Sequence, residues 1–178
     1  MSPLKVDRCV TFKPFARSML LTALLAAAPT MLHAQVASDK TVDDLMMQAQ
    51  TALTRGKPDE AISTLRRAID MAPNKAELYL LRSRARDSAG KFDAALEDAN
   101  KYIELAPNDA YGYLNRARVY LSMEKKQAAL DDANKAISIS PNEPDGYFRR
   151  ADIYYDLGKD SEAKADEAKA EELDKKAR

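Results

Sequence analysis

A proline recurs at a fixed interval through the chain. Pro73, Pro107 and Pro141 are each 34 residues apart, and each is preceded by Ala or Ser and followed by Asn. The surrounding segments repeat as well: AYGYLNRARVY begins at Ala110, and PDGYFRRADIY begins 34 residues later at Pro144. A fixed period of this size is typical of stacked supersecondary units, so it constrains the fold more than any other feature of the sequence.

The first repeat, residues 42–75, has the signals of two helices joined by a tight turn. Thr41 fits a capping box at the start of the first helix, and Gly56 supplies the left-handed residue that stops it. Pro58 suits the first turn of a second helix, which extends to Met71. That helix places four apolar residues on one face: Ala61, Leu65, Ala68 and Ile69.

Three further repeats follow the same plan, at residues 76–109, 110–143 and 144–177. Gly90 and Gly158 again stand at the turn, whereas the third repeat has Glu124 there. A left-handed backbone at a non-glycine residue costs on the order of 1 kcal/mol. The pattern predicts an all-α fold of about eight helices, arranged as four helix-turn-helix repeats.

Small residues recur at two positions of every repeat, and a large one at a third. The first small set is Ala49, Ser83, Ala117 and Ala151, and the second is Ala61, Ala95, Ala129 and Ala163. The large position holds Leu45, Tyr79, Tyr113 and Tyr147. Together with the prolines, these positions resemble the tetratricopeptide repeat family. The resemblance implies a right-handed α-solenoid over residues 42–178. Two departures are Arg86, where the family has a packed aromatic residue, and a fourth repeat without its closing proline.

Residues 1–34 have the three parts of a secretory signal peptide: four cationic residues, an apolar run of about fifteen residues, and small residues after it. The run is shorter than the roughly 20 residues that a membrane span needs. We expect cleavage after Ala34, or alternatively after Ala37, with residues 35–41 as a linker. The mature chain is then periplasmic or secreted from a bacterium. An uncleaved signal anchor is the other interpretation.

Composition excludes several classes of function. The only Cys and the only His, Cys9 and His33, lie in the leader, so the repeats lack a thiol nucleophile, an imidazole base and a soft-metal site. We therefore expect no metal and no cofactor. The leader holds four basic residues and one acid, which leaves 24 basic against 27 acidic residues in the remainder, a poor balance for nucleic-acid binding. Paired acids such as Asp131 and Asp132 do not face each other on a helix, which disfavours a carboxylate enzyme.

Three arginines and three aspartates recur with the 34-residue period: Arg82, Arg116 and Arg150, and Asp98, Asp132 and Asp166. Each arginine belongs to the first helix of its repeat, and each aspartate follows sixteen residues later on the second. Because antiparallel helices joined by a short turn can bring these positions face to face, we predict an ion pair within each of the three repeats. We interpret these pairs as scaffold.

Function is expected on the concave face of the solenoid, which is the usual binding surface of such arrays. By resemblance to the family, the first helix of each repeat lines this face. The residues proposed to bind a peptide there are Met46, Gln50, Leu80, Arg84, Tyr111, Leu114, Asn115, Arg118, Phe148, Arg149 and Tyr155. Apolar and aromatic side chains with a few arginines suit an extended or helical peptide whose carboxylates the guanidinium groups hold. Met46 and the adjacent Met47 are equally compatible with packing at the end of the array.

Three of these residues, Arg84, Asn115 and Arg149, partly resemble the carboxylate clamp of chaperone-binding family members. The match is incomplete, because Leu80 and Asp145 stand where that clamp has lysine. The sequence therefore favours a non-catalytic scaffold that binds a protein or peptide segment, with neither nucleic acid nor, after signal cleavage, membrane as a partner. The alternative is a structural subunit that self-assembles, weakly, through the ends of the array. The polar helix from Ser161 caps one end, and the other end has no cap.

Overall fold

Eight helices and no strand make up the part of the chain that the computed structural model describes, residues 41–177. This confirms the predicted all-α repeat fold. The helices are α1 (41–54), α2 (Pro58–Met71), α3 (Ala76–Ser88), α4 (Phe92–Leu105), α5 (Ala110–Ser122), α6 (Lys126–Ile139), α7 (Pro144–Asp156) and α8 (Asp160–Ala177). The predicted signal peptide lies outside the described residues. Within 41–177, no helix is both long and apolar enough to cross a membrane.

The helices pack as hairpins, and the hairpins stack in chain order. The most extensive packing is within repeats, between α3 and α4, α5 and α6, and α7 and α8. The first helices of successive repeats also touch, α3 with α5 and α5 with α7. The second helices α4 and α6 make no such contact with each other. The first helices are therefore closer together than the second helices, which curves the array. As a result, α3, α5 and α7 line its concave side.

The turns between the paired helices have the left-handed backbone that the sequence predicts. Gly56, Gly90 and Gly158 have φ angles of 68°, 72° and 70°, and Glu124 has φ of 59° at the equivalent place. The amide after each turn residue bonds back to the helix; Lys125 N, for example, donates to Tyr120 O at 2.8 Å. This is the Schellman arrangement, which satisfies carbonyls that the helix end leaves free.

Replacing Glu124 with Gly is expected to raise the free energy of unfolding by about 0.5–1 kcal/mol. A left-handed non-glycine residue costs about 1–2 kcal/mol, and the greater freedom of glycine in the unfolded chain offsets part of the gain. Urea denaturation measures the change. Glu124→Ala, which keeps the left-handed strain, is the matched control and should give no gain. A variant with Gly that is no more stable than the one with Ala would contradict the prediction.

The predicted start of α1 is wrong. Thr41 is already helical, so the residue that precedes the helix lies before it, outside the described residues. The pattern indicates the region where a helix begins, but it does not fix the first residue of α1. Pro58 does lie in the first turn of α2, as predicted.

The repeated small residues lie in the core, as do two of the repeated large ones, Leu45 and Tyr79. Both sets of small residues are buried, and so is the predicted apolar face of α2. Ser83, the one polar member, donates to the backbone oxygen of Ala95 at 2.9 Å, so its hydroxyl is satisfied.

The three repeated tyrosines form hydrogen bonds to the three repeated prolines. The hydroxyl of Tyr79 donates to Pro73 O at 2.9 Å, and Tyr113 and Tyr147 make the equivalent bond to the next two prolines. Through this hydrogen bond, each tyrosine connects its helix to the turn before it.

Candidate functional site

The recurring arginines and aspartates form all three ion pairs within their repeats. Arg82 meets Asp98 with two hydrogen bonds, Nη2 to Oδ1 at 2.7 Å and Nε to Oδ2 at 2.9 Å. The pairs Arg116–Asp132 and Arg150–Asp166 have the same two-pronged geometry at 2.7–2.8 Å. All three aspartates are buried. The guanidinium groups also lie over tyrosine rings, Arg82 at 5.6 Å from the centroid of Tyr79. These arginines are fully engaged by the scaffold.

The pKa values of the paired arginines agree with this engagement. The hydrogen bond to Asp132 raises the pKa of Arg116, and the bond to Asp166 does the same for Arg150. Burial works to lower the pKa of Arg82, but the bond to Asp98 and the charge of Asp98 outweigh it, so that pKa is also raised. Arg116 and Arg150 additionally donate to Asn100 and Asn134 of the preceding repeat, at 2.8 and 2.7 Å. The pairs therefore connect repeats as well as helices.

Arg86, the departure from the aromatic pattern, joins the same network. Its Nη1 lies 2.9 Å from Asp98 Oδ2 and donates to Ala94 O at 3.0 Å. At the equivalent positions of the next two repeats, Tyr120 and Tyr154 place their rings beside the paired guanidinium groups. In the second repeat a second cation replaces the ring, so Asp98 binds two guanidinium groups.

A concave cavity of about 550 Å³, here called the groove cavity, lies on the face formed by α3, α5 and α7. It brings together eight of the residues predicted to bind a peptide: Leu80, Arg84, Tyr111, Leu114, Asn115, Arg118, Phe148 and Arg149. Asp145 and Asp152 complete its wall on α7, and Tyr102 of α4 forms part of its lining. Tyr102 was not among the predicted residues, because the prediction assigned the groove lining to the first helix of each repeat. The available signal was a tyrosine at a position where the neighbouring repeats have Ala68 and Ala136.

The structure does not bring the other three predicted residues into the groove cavity. Met46 is half-buried against the apolar core of the first two repeats. Gln50 is exposed on α1, away from the cavity lining. The hydroxyl of Tyr155 donates to Glu167 Oε2 of α8 at 2.8 Å, which holds that ring toward its own hairpin. The site therefore spans repeats two to four.

Arg118, although predicted to bind a peptide in the groove, already makes contacts inside the protein. It forms an ion pair with the buried carboxylate of Asp87 and donates from Nη2 to Asn115 Oδ1 at 3.0 Å. Burial lowers the pKa of Arg118; the charge of Asp87 opposes this shift, whereas Arg84 and Arg149 add to it. The clamp resemblance is weakened in the same way, since Asn115 is buried and donates to Ser83 Oγ at 2.8 Å.

The other two arginines of the groove cavity, Arg149 and Arg84, differ in whether an acidic side chain pairs with them. Arg149 lies 3.2 Å from the exposed carboxylate of Asp152, a pair of the kind that contributes little to stability. Arg84 is exposed and forms no ion pair with any residue in 41–177. Two exposed aromatic rings line the same cavity, Tyr111 at 57% and Phe148 at 43% exposure. A hydrogen bond to Asp145 raises the pKa of Tyr111. The cavity thus presents exposed rings and one unpaired cation.

No cluster of three or more His, Cys, Asp or Glu side chains that could hold a metal ion occurs in the described range. The side chains that line the cavity can make noncovalent contacts with a ligand. Rings bury apolar side chains of a ligand, and guanidinium groups hold carboxylates or backbone carbonyls.

Two family models, each described as tetratricopeptide repeat, match the chain. One covers residues 46–110, and the other covers 110–143 and 144–176. The last two ranges coincide, to within one residue, with the third and fourth repeats that the sequence predicts. A search of curated protein sequences gave no match.

Several solved structures have the same fold. A crystal structure of MamA aligns with a TM-score of 0.64 and 26% identity, over 82% of this chain and 85% of that one. A thermophilic TPR protein of Thermus thermophilus gives a TM-score of 0.69 at 20% identity, over 74% of each chain. The first TPR of Spaghetti (RPAP3), bound to the HSP90 peptide SRMEEVD, gives 0.60 at 23% identity, over 67% of this chain and 94% of that one. The last two are similar in fold alone.

Proposed function

This chain belongs to the tetratricopeptide repeat family, and we propose that it is a non-catalytic scaffold whose groove cavity holds an extended segment of a partner protein. The observation that carries the proposal is that two exposed rings, Tyr111 and Phe148, line the same concave cavity as the unpaired Arg84. Exposed apolar surface in a concavity with a few polar groups is typical of ligand sites. Spaghetti (RPAP3) provides a precedent for a peptide on this fold.

The expected ligand has an apolar or aromatic side chain and a nearby carboxylate. The rings would cover the apolar group, and Arg84 would hold the carboxylate with two parallel hydrogen bonds. Arg118 would contribute its positive charge, since its Nη1 pairs with Asp87 and its Nη2 donates to Asn115. The compartment that we propose is the periplasm, or the exterior of the cell, after cleavage near Ala34; the leader sequence is its support.

Replacing Arg84 with Glu is expected to weaken capture of the partner by about tenfold or more, since a charge-assisted hydrogen bond is lost and a repulsion is introduced. The partner is first obtained by placing a photocrosslinking residue at Phe148 in the native host and identifying the product by mass spectrometry. Arg66→Glu, the same charge change at an exposed site on α2, is the matched control. Arg118→Glu is unsuitable, because it would place two carboxylates together in a buried site.

Equal capture by Arg84→Glu and Arg66→Glu, with both variants folded, would rule out binding in the groove cavity. Self-assembly, the second candidate, is favoured by Met47 at 67% and Met71 at 44% exposure on the first repeat. Sedimentation velocity on the same samples decides it: a monomer at high micromolar concentration excludes assembly through this end.

A further inference from the structure

The three junctions between successive repeats use the same two positions with side chains of different size. One position, on the second helix of a repeat, holds Ala68, Tyr102 and Ala136; the other, on the first helix of the next repeat, holds Leu78, Gly112 and Gly146. Each series keeps the 34-residue period, so the three pairs stand in equivalent places. The size of the side chains at these two positions therefore differs from one junction to the next.

The first two junctions pair a small residue with a large one. At the first, Ala68 and Leu78 are both fully buried in the same apolar cluster. At the second, a Cβ added to Gly112 would lie only 2.6 Å from Cδ1 of the Tyr102 ring. The Tyr102 ring therefore occupies the space beside the glycine. It is 4% exposed, and its hydroxyl donates to Asp109 Oδ2 at 2.5 Å.

The third junction pairs two small residues, Ala136 and Gly146. A Cβ added to Gly146 would lie 2.8 Å from Cγ1 of Ile137, and a cavity of about 610 Å³ remains beside the pair. This junction cavity lies between the turns before α5 and before α7, at the start of both helices, and includes Ala136 and Gly146 in its lining. It adjoins the groove cavity, because Tyr111, Leu114 and Asp145 line both.

The polar surroundings of Tyr102 also have counterparts at the junction cavity. Asp109 accepts the Tyr102 hydroxyl, and the residue 34 positions later is Glu143, which lines the cavity. The carboxylate of Glu143 makes no hydrogen bond or ion pair with the residues that the structure describes. Burial, the bond to Asp109 and the charge of Glu77 raise the pKa of Tyr102. The counterpart of Glu77 is Tyr111, again a lining residue.

We propose that the junction cavity binds a tyrosine side chain of the partner segment, with its ring beside Gly146 and its hydroxyl donating to Glu143. The protein already holds its own Tyr102 in this way one repeat earlier, which identifies both the shape and the acceptor. No cationic residue of the described chain lines the cavity, so a hydroxyl donor is favoured over a carboxylate. The inference rests on the proposed function for the partner, but the cavity can be tested without one.

The first test uses N-acetyl-tyrosine amide and N-acetyl-phenylalanine amide as probes, followed by amide chemical shifts. The tyrosine probe is expected to shift Gly146 and Ala136, to leave Gly112 unmoved, and to bind on the order of fivefold tighter than the phenylalanine probe. Glu143→Ala should remove that preference and retain binding of both. Absence of shifts at Gly146, or equal affinities in the wild-type chain, would overturn the proposal.

The second test fills the cavity from inside with Ala136→Tyr, which copies the second junction. The variant is expected to melt at a higher temperature than the wild type, to bind neither probe and to capture the partner at least tenfold more weakly. Ser138→Tyr, at an exposed site on the same helix, is the control and should change none of these.

The two proposals fail separately. If Ala136→Tyr captures the partner normally while Arg84→Glu does not, the tyrosine site is wrong and the groove function stands. If both variants capture normally, both are wrong. If Ala136→Tyr does not fold, the probe measurements on the wild-type chain and Glu143→Ala still decide the tyrosine site.

Discussion

Replacing Asp98 with Ala is expected to lower the free energy of unfolding by about 3–5 kcal/mol, the range found when one partner of a buried ion pair is removed. Asp98 is only 3% exposed and accepts hydrogen bonds from Arg82, while Arg86 forms a second ion pair with it. Without this carboxylate, two partly buried guanidinium groups lose the acid with which both of them pair. Asp132 pairs with one arginine, so Asp132→Ala should cost less.

Urea denaturation followed by circular dichroism measures both losses. The matched control is Glu97→Ala, an exposed acid one residue before Asp98 on the same helix, which should change stability by no more than about 0.5 kcal/mol. A loss at Asp98 no larger than at Glu97, or smaller than at Asp132, would show that the two-cation arrangement does not stabilise the second repeat.

Replacing Tyr102 with Ala is expected to cost about 3–5 kcal/mol, as for other large aromatic residues removed from a core. The ring fills the second junction and its hydroxyl bonds to Asp109, so both the packing and the hydrogen bond are lost. The variant would recreate at this junction the small pair that leaves the third one open.

Because a large and a small residue together fill the second junction, we expect the losses of stability from substitutions at Tyr102 and Gly112 not to be additive. Gly112→Leu alone should cost about 1–3 kcal/mol or more, because its side chain would overlap the Tyr102 ring. Combined with Tyr102→Ala it copies the first junction, where Ala68 meets Leu78, so the double variant should be more stable than Tyr102→Ala. A double-mutant cycle measured by denaturation gives the coupling. Simple addition of the two losses would contradict the inference that one large and one small residue fill each of the first two junctions.

Several features of the fold could be predicted from the sequence because they depend on contacts within one repeat. The period places the turns, and a helix pair closed by a left-handed residue requires the same backbone at Glu124 as at Gly90. Sixteen residues separate each arginine from its aspartate, and a hairpin with a fixed turn brings such positions together each time. The capping prediction at Thr41 fails because nothing local distinguishes a cap from an internal threonine followed by acids.

The candidate site could be predicted only in part, because its residues are used by contacts between repeats. Which helices face the groove follows from the repeat pattern, and eight of the eleven proposed residues do line the cavity. The repeat pattern does not show whether a side chain in the groove is available to a ligand. Arg118 is occupied by Asp87, 31 residues earlier, and Asn115 by Ser83, 32 residues earlier.

By itself, the sequence determined the number of repeats, the turns that join their helices and the ion pairs inside them, since each is set by spacing along one hairpin. Only the tertiary structure decided which cations remain unpaired and where space is left between repeats. Arg84 differs from Arg118 in having no carboxylate opposite it, and the third junction differs from the second in having Ala136 where Tyr102 stands. Both differences depend on the side chains that stacking places together, and therefore on two repeats at once.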